Sequence, residues 1–179
     1  VAELPYINMA ATMSVAKSIS KITSLNPVIK WPNDLQVNGR KISGILIETE
    51  IGLNEVSKVD YSIVGVGVNV NSDLSQMTDI RYRATSIYKE IDKKIERTYM
   101  LKSILELFNE FYQQIKSGKS LTEDWASWLD TLGQHISLRY LDQVITGRAE
   151  SVDEQGNLIV VMPDSSIFRA VAGEVTLRM

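Results

Sequence analysis

The chain has 179 residues, of which 44% are hydrophobic and 23% are charged, a composition typical of a folded globular protein. It has no cysteine and one histidine, which excludes disulfide bonds, a cysteine nucleophile and histidine-rich metal sites. The net charge of -3 lacks the basic excess that binds nucleic acid backbones, so we expect no nucleic acid partner. No apolar run approaches the roughly 20 residues of a membrane span, and we expect a cytoplasmic protein.

The first third of the chain is predicted to form a helix followed by an antiparallel sheet. Apolar residues recur at helical spacing over Ile7–Ile22. The predicted strands are Val28–Trp31, Asp34–Val37, Lys41–Ile51 and Tyr61–Val70. Asn38-Gly39 is a strong hairpin signal, because both residues tolerate the positive φ of a type I′ turn. Loops are predicted at 54–58 and 72–83.

The middle of the chain is predicted to be helical, with segments at Ala84–Ile91, Thr98–Ser117 and Leu121–Leu132. The second segment has the clearest helical periodicity, and Gly118 is expected to end it. Thr122 is the predicted N-cap of the third segment. The stretch Lys89–Lys94 mixes both signs of charge and is interpreted as a solvated helix end.

After Gly133 the pattern changes to five short strands separated by turn residues. These predicted strands are Ile136–Leu141, Val144–Val152, Leu158–Met162, Ile167–Ala172 and Val175–Leu177. Five short strands with closely spaced turns favour a small barrel. The predicted fold class is therefore α+β, with a mixed, largely antiparallel sheet and flanking helices followed by a small β-barrel. We place the domain boundary between 1–132 and 133–179.

Side-chain alternation in Tyr61–Val70 places Val64, Val66, Val68 and Val70 on one face and Gly65, Gly67 and Asn69 on the other. The valines are expected to pack in the core. The glycines expose bare backbone beside Asn69, where a ligand could approach, although glycines that merely fit under a helix would give the same pattern. A dinucleotide fingerprint is excluded, because Val70 occupies its last glycine position and no helix pattern follows.

A rigid corner precedes the predicted hairpin. Pro32 restricts the backbone, so Asn33 and Asp34 emerge at a fixed position, and the hairpin returns Lys41 alongside them. A carboxylate beside an ammonium group suits a phosphate with its Mg²⁺. The alternative is an ordinary hairpin with a surface salt bridge. Gly44 in the return strand again indicates close backbone approach.

Three stretches in this order resemble the bacterial type of biotin protein ligase: KWPND at Lys30–Asp34, GRKISGILIE at Gly39–Glu48 and GVGVNVN at Gly65–Asn71. Near the end of the chain, TGRAESVDEQGNLIV and AVAGEVTLR resemble the small SH3-like C-terminal domain of the same family. The resemblance implies a truncated fold of the class II aminoacyl-tRNA synthetase and biotin ligase type. Residues 1–132 would be part of the catalytic domain and 133–179 the SH3-like β-barrel.

The resemblance also implies an activity. Enzymes of this family use ATP to convert biotin to biotinyl-5′-AMP and then transfer the biotinyl group to a lysine of a biotin carboxyl carrier domain. ATP and biotin would be substrates and Mg²⁺ a cofactor. Catalysis would need positioned reactants and neutralised charge rather than a side-chain nucleophile, so a site without cysteine is no obstacle.

Site residues are carried over by the same motif matches. Lys41 would contact the carboxylate and phosphate of the adenylate, and Asp34 would act with it and bind the metal. Asn33 would face ATP, Asn69 the adenine nucleotide and Gly44 the biotin side of the pocket. The remaining candidate cofactor-binding residues are Lys30, Trp31, Gly65 and Gly67.

The chain departs from the family pattern in one respect. The family's GRGRRG loop and a Ser/Thr-Asn element, both upstream of KWPND, are absent, as is an N-terminal helix-turn-helix domain. We therefore expect the C-terminal part of a ligase that is poorly active alone and has an exposed sheet edge, through which it could form a homodimer. The alternatives are a lipoate-ligase-like acyl-adenylate enzyme and a non-catalytic fragment that senses an adenylate or acts in repression.

Overall fold

The computed structural model describes residues 4–51, 59–73 and 84–177. In these ranges the helices are α1 (Leu4–Ile22), α2 (Ile87–Ile91), α3 (Arg97–Lys116) and α4 (Thr122–Ala126). The first sheet runs in the order β1 (Val28–Lys30), β2 (Asp34–Val37), β3 (Arg40–Ile51) and β4 (Val59–Val68). The second sheet contains β5 (His135–Tyr140), β6 (Gln143–Val152), β7 (Leu158–Val161), β8 (Ile167–Ala170) and β9 (Glu174–Leu177).

Neighbouring strands are antiparallel in both sheets, and the second sheet has the order β8-β7-β6-β5-β9. The predicted α+β class and the antiparallel pairing are thus confirmed. The changeover from the first sheet to the second falls between α4 and β5, and the domain boundary at 132/133 stays a prediction. No helix in the described ranges is long and apolar enough to cross a membrane.

The β2–β3 hairpin forms where the sequence predicts it. Asn38 and Gly39 have φ values of 52° and 70°, the positive values that a type I′ turn requires.

On one side of the sheet, α1 packs against α3 and β3 and is buried along most of its length. Between the two helices the hydroxyl of Ser18 donates a 3.0 Å hydrogen bond to that of Ser103, both buried.

The helix predicted over Leu121–Leu132 is shorter in the structure and ends at Ala126. Beyond it, the backbone runs alongside β1, where Ile29 N donates to the Trp128 carbonyl at 2.8 Å and Asp130 N donates to the Ile29 carbonyl at 3.1 Å. Since β1 is an edge strand, these bonds satisfy backbone groups that a longer helix would leave unpaired.

The two sheets are joined by direct contacts near Gly156. The predicted N-cap role of Thr122 is wrong, because Leu121 is the N-cap and the Thr122 hydroxyl donates to the Glu154 carbonyl at 2.8 Å. Gly156 has a φ of 76°, and a Cβ there would lie 2.7 Å from Met9 Cε and 3.2 Å from Trp125 Cζ3. Only glycine fits this turn without strain, so the second sheet can approach α1 and α4 closely.

The valine face of β4 is only partly buried. Val70 is buried and Val64 and Val68 are half-buried, but Val66 is 40% exposed, so the prediction that all four pack in the core is wrong for Val66. The reason is that a groove of about 570 Å³ separates this face of β4, the other edge strand in the described residues, from α3. The loop predicted at 54–58, and 74–83 of the loop predicted at 72–83, lie outside the described residues.

Candidate active site

Four of the candidate residues form one row across the first sheet. Lys30 pairs with Asp34, Asp34 with Gly44, and Gly44 with Gly67. Directly opposed residues of antiparallel strands share a face of the sheet, so this row defines a single surface. Gly65 lies on the same surface two residues along β4 from Gly67. We call this surface, with Lys41, the glycine face: Lys30, Asp34, Lys41, Gly44, Gly65 and Gly67.

Lys41 reaches the glycine face because β3 contains a bulge. Leu35 pairs with Ser43 whereas its neighbour Gln36 pairs with Lys41, so Ile42 is an additional residue in β3. In a regular strand Lys41 and Gly44, three residues apart, would point to opposite faces. The additional residue restores Lys41 to the face of Asp34, and bulges are known to re-aim side chains in this way next to active sites.

Lys41 and Asp34 form an ion pair beside bare backbone. Lys41 Nζ lies 2.5 Å from Asp34 Oδ1, and the two side chains are 41% and 28% exposed. A Cβ on Gly44 would lie 3.2 Å from that carboxylate oxygen and 3.2 Å from Lys41 Nζ. The absence of a side chain at Gly44 therefore leaves space at the pair. Exposed ion pairs add little to stability, so its placement among glycines favours a ligand-binding role.

The two candidate asparagines are held by backbone groups. Asn33 Nδ2 donates to the Ile45 carbonyl at 2.7 Å, and Ile45 N donates to the Asn33 carbonyl at 3.1 Å. These bonds fix the Pro32–Asp34 corner against β3. Asn69 follows β4 directly, and its Nδ2 donates to the Thr85 carbonyl at 3.0 Å. Both asparagines are therefore preorganised, and their predicted contacts with ATP stay predictions.

Trp31 supports the corner from within the protein. It is 2% exposed, its indole N–H donates to the Gly156 carbonyl at 2.9 Å, and its backbone N–H donates to the Thr131 hydroxyl at 3.0 Å. Burial and these bonds give Trp31 a structural role, and the ligand contact predicted from the motif stays a prediction. The tryptophan connects the candidate corner to the turn of the second sheet.

Lys30 stands next to a half-buried carboxylate. Burial raises the pKa of Asp130 above its ordinary value, and attraction to Lys30 offsets this only in part. Asp130 Oδ1 has no hydrogen-bond partner in the described structure. Lys30 thus attracts the Asp130 carboxylate while it lies in the same row as Asp34.

The glycine face adjoins a cleft of about 300 Å³ between the two sheets. Asn33 and Leu46 line it from the first sheet, and residues 155–157 line it from the second. Leu46 pairs with Gly65, which makes the cleft continuous with the glycine face. A ligand that extended beyond Asp34 would therefore contact the second sheet.

The described residues contain no cluster of three or more His, Cys, Asp and Glu side chains that could bind a metal ion by themselves. A Mg²⁺ that binds together with a nucleotide needs only one or two carboxylates, because phosphate oxygens and water complete its coordination. Asp34 fits that requirement, since it is partly exposed and lies beside the space that a Cβ of Gly44 would fill.

Glu90 is a residue whose importance the sequence does not reveal. The prediction of a solvated helix end over Lys89–Lys94 is wrong at this position, because the Glu90 side chain is 4% exposed. It forms an ion pair with Arg40 and accepts a hydrogen bond from Asn38 of the hairpin turn. Arg40 and Asn38 lie about 50 residues from Glu90 in the chain, so no local pattern could have indicated these contacts.

Two family models match the chain. The model described as "Biotin/lipoate A/B protein ligase family" matches residues 3–69, which include the whole glycine face, and "Biotin protein ligase C terminal domain" matches residues 131–178. The chain belongs to the biotin protein ligase family. The first model covers both biotin and lipoate ligases, but the second is described for biotin protein ligases alone. The second match therefore favours a biotin ligase over a lipoate ligase.

Curated relatives carry names consistent with this family. The chain is 29% identical over 159 residues to "Bifunctional ligase/repressor BirA" of Bacillus subtilis strain 168, covering 87% of this chain and 48% of that protein. It is 24% identical over 178 residues to "Biotin--[acetyl-CoA-carboxylase] ligase" of Mycobacterium tuberculosis strain H37Rv, covering 97% of this chain and 63% of that protein. The chain thus spans about half to two thirds of the length of these relatives.

Solved structures of the biotin protein ligase from Aquifex aeolicus share the fold. One crystal structure superposes with a TM-score of 0.82 at 26% identity, covering 98% of this chain and 75% of that one. A second structure, described as a complex with biotin and ATP, gives a TM-score of 0.81 at 26% identity and covers 98% of this chain and 72% of that one. The two sheets of the present chain are therefore arranged as in these biotin protein ligase structures.

Proposed function

We propose that this chain provides the nucleotide-activating face of a biotin protein ligase. The enzyme would join biotin and ATP to give biotinyl-5′-AMP and pyrophosphate, and would then transfer the biotinyl group to a lysine of a biotin carboxyl carrier domain. The observation that carries the proposal is the Lys41–Asp34 pair on the glycine face. The Aquifex aeolicus relative described in complex with biotin and ATP supports the substrate class.

In the first step a carboxylate oxygen of biotin attacks the α-phosphorus of ATP, and the bond from that phosphorus to the bridging oxygen breaks to release pyrophosphate. Both reactants are anions, so the site must bring them together against their repulsion. The ammonium group of Lys41 would bind between the carboxylate and the α-phosphate and would stabilise the negative charge of the transition state. Its 41% exposure leaves it accessible from the glycine face.

In the second step the amine of the carrier lysine attacks the acyl carbon, AMP leaves with the electron pair, and the amine loses a proton to solvent. The glycines would let the acyl phosphate lie close to the sheet, since a side chain at Gly44 would contact both Lys41 and Asp34. Asp34 would bind a Mg²⁺ that accompanies ATP. That ion would neutralise phosphate charge when bound.

The alternatives make different predictions for ligands. A lipoate-ligase-like enzyme would activate lipoate, and a non-catalytic sensor would bind an adenylate without turnover. ATP–pyrophosphate exchange by the complete gene product, measured with biotin and with lipoate, separates them. We expect exchange that depends on biotin, and calorimetric titration should show binding of biotin. Exchange with lipoate alone would contradict the biotin assignment, and binding without exchange would contradict the ligase.

We also propose that β4 mediates self-association. It is an edge strand of the described sheet, and Tyr61 and Ile63 on it are both 56% exposed. Unpaired backbone groups beside exposed apolar side chains favour pairing with another strand. A second copy of the chain, paired along β4, would form hydrogen bonds with these backbone groups and cover the apolar side chains. The cytoplasmic location expected from the sequence stays a prediction.

A further inference from the structure

Thr85 holds two candidate site residues at once. Its backbone N–H donates to the Lys41 carbonyl at 2.8 Å, and its carbonyl accepts from Asn69 Nδ2 at 3.0 Å. The Asn69 N–H in turn donates to the carbonyl of Ile42, the bulge residue, at 2.9 Å. Lys41 pairs with Gln36 of β2, but β4 ends at Val68, opposite Ser43, so the segment at Ala84 and Thr85 supplies the backbone partner of Lys41 on the other side.

Glu90 fixes Thr85 and the hairpin turn together. One carboxylate oxygen, Oε1, accepts a hydrogen bond from the Thr85 hydroxyl and forms an ion pair with Arg40 Nη2 at 2.8 Å. The other, Oε2, accepts from Asn38 Nδ2 at 2.9 Å. The Glu90 side chain is 4% exposed and Thr85 is fully buried, whereas Asn38 and Arg40 reach Glu90 from the solvent side. Charge-assisted hydrogen bonds in such an environment have well-defined geometry.

The network encloses Lys41. Asn38 and Arg40 precede it in the chain, Ile42 follows it, and Thr85 binds its backbone. These contacts hold the backbone of Lys41 and of the residues on both sides of it. The same network sets the position of Asn69 relative to Lys41.

We infer that Thr85 and Glu90 are positioning residues, which fix Lys41 and Asn69 relative to each other for reaction of the acyl phosphate. The inference rests on the proposed function for its catalytic consequence. Its structural part, that Glu90 orders the Thr85–Lys41 contact, stands on the hydrogen bonds alone.

Glu90→Gln tests the inference at constant size. The substitution replaces one carboxylate oxygen with an NH₂ group, which is a donor. In either orientation of the amide, this group would face a donor of Arg40, Asn38 or Thr85, and a contact would be lost. We expect kcat for biotin-dependent pyrophosphate exchange to fall about 10- to 100-fold, since displacement of a catalytic group by about 1 Å costs that order of rate. KM for biotin should change less than about threefold. Thr85→Val should act in the same direction, and Thr85→Ser, which keeps the hydroxyl, should restore activity.

Two control variants separate positioning from general stability. Ser103→Ala removes the buried Ser18–Ser103 hydrogen bond between α1 and α3, away from the glycine face, and matches the loss of a buried bond. Glu106→Gln repeats the chemical change at a 56% exposed residue of α3, which forms a long ion pair of 3.8 Å with Lys102. Both should retain kcat within about twofold, with Tm compared across all variants.

Amide hydrogen exchange at Thr85 gives a readout that does not depend on activity. Glu90→Gln should accelerate this exchange relative to the wild type, whereas Glu106→Gln should not. The inference would be overturned if Glu90→Gln showed both wild-type amide hydrogen exchange at Thr85 and a wild-type kcat. It would also be overturned if Ser103→Ala lost as much kcat as Glu90→Gln. If the wild type itself showed no biotin-dependent exchange of pyrophosphate, the proposed function would be wrong, and the Thr85 amide would still decide whether Glu90 orders the contact with Lys41.

Discussion

Lys41 Nζ lies 2.5 Å from Asp34 Oδ1, although the alternation of a regular strand would direct Lys41 away from Gly44, the residue paired with Asp34. The additional residue Ile42 removes this conflict. The result is a cation and an anion held side by side on a surface that has no side chains at the neighbouring positions of β3 and β4.

Gly44→Ala should impair activity more than stability. The added Cβ would lie 3.2 Å from both Asp34 Oδ1 and Lys41 Nζ, so the pair must separate by a few tenths of an ångström and the ligand space is reduced. We expect biotin-dependent pyrophosphate exchange to fall about 10-fold or more. Thermal unfolding should change little, because both side chains can move toward solvent. A wild-type rate in this variant would show that the space at Gly44 is not used.

Gly156→Ala should destabilise the contact between the two sheets. Gly156 and Gly118 have similar φ values of 76° and 81°, but a Cβ at Gly118 meets nothing within 4 Å. Gly118→Ala therefore measures backbone strain alone, about 1–2 kcal/mol. Gly156→Ala should cost about 1–3 kcal/mol more, because its Cβ collides with Met9 and Trp125. Denaturant unfolding of the two variants checks this, and equal losses would contradict the packing described here.

The substitution Asp130→Asn should have a more favourable effect on the stability of the fold at neutral pH than in acid. The folded-state pKa of Asp130 is raised by burial, so the folded protein binds the proton more tightly than the unfolded chain. The stability that this group contributes is present below the ordinary pKa of 3.8 and is lost as the pH rises through the raised value. Asparagine does not titrate and avoids that loss.

Thermal unfolding of Asp130→Asn and the wild type should therefore be compared at pH 3 and pH 7. The difference in Tm, variant minus wild type, should be more positive at pH 7, by about 1–4 °C for a chain of this size. A difference that is the same at both values of pH would show that burial does not perturb Asp130.

Ile63→Lys should weaken self-association. Ile63 is 56% exposed on the edge strand β4, and a lysine there places charge where a second strand would pair. Val144→Lys, at a 63% exposed position on β6, is the matched control. Sedimentation velocity should show concentration-dependent association for the wild type and the control, and less of it for Ile63→Lys. A wild type that stays monomeric at high concentration would contradict the proposal.

Local chemistry made much of the fold predictable. Asn38-Gly39 selects its own turn because of the φ values that both residues tolerate, and the apolar periodicity of α3 marks that helix within one residue at each end. The motif residues also lie where a hairpin return would bring them. Predicted site roles for Lys41, Asp34 and Asn69 remain to be tested by experiment.

Features that depend on distant partners were not predictable. The bulge at Ile42 is defined by the pairing of β2 with β3, so alternation in the sequence alone misplaces Lys41. Helix α4 stops early because the backbone after it satisfies the edge of β1. Burial of Glu90 depends on Arg40 and Asn38, which are about 50 residues away in the chain. In each case tertiary contacts override a local preference.

The most direct test of the central claim is the rate of biotinyl-5′-AMP formation by the complete gene product, measured by rapid quench with labelled ATP. Lys41→Ala should lower this rate at least about 100-fold, as expected when a charge that stabilises the transition state is removed. Lys102→Ala, which removes a 73% exposed lysine of α3, should leave it unchanged. Formation of the adenylate by Lys41→Ala at the wild-type rate would contradict the assignment of the glycine face as the activation site.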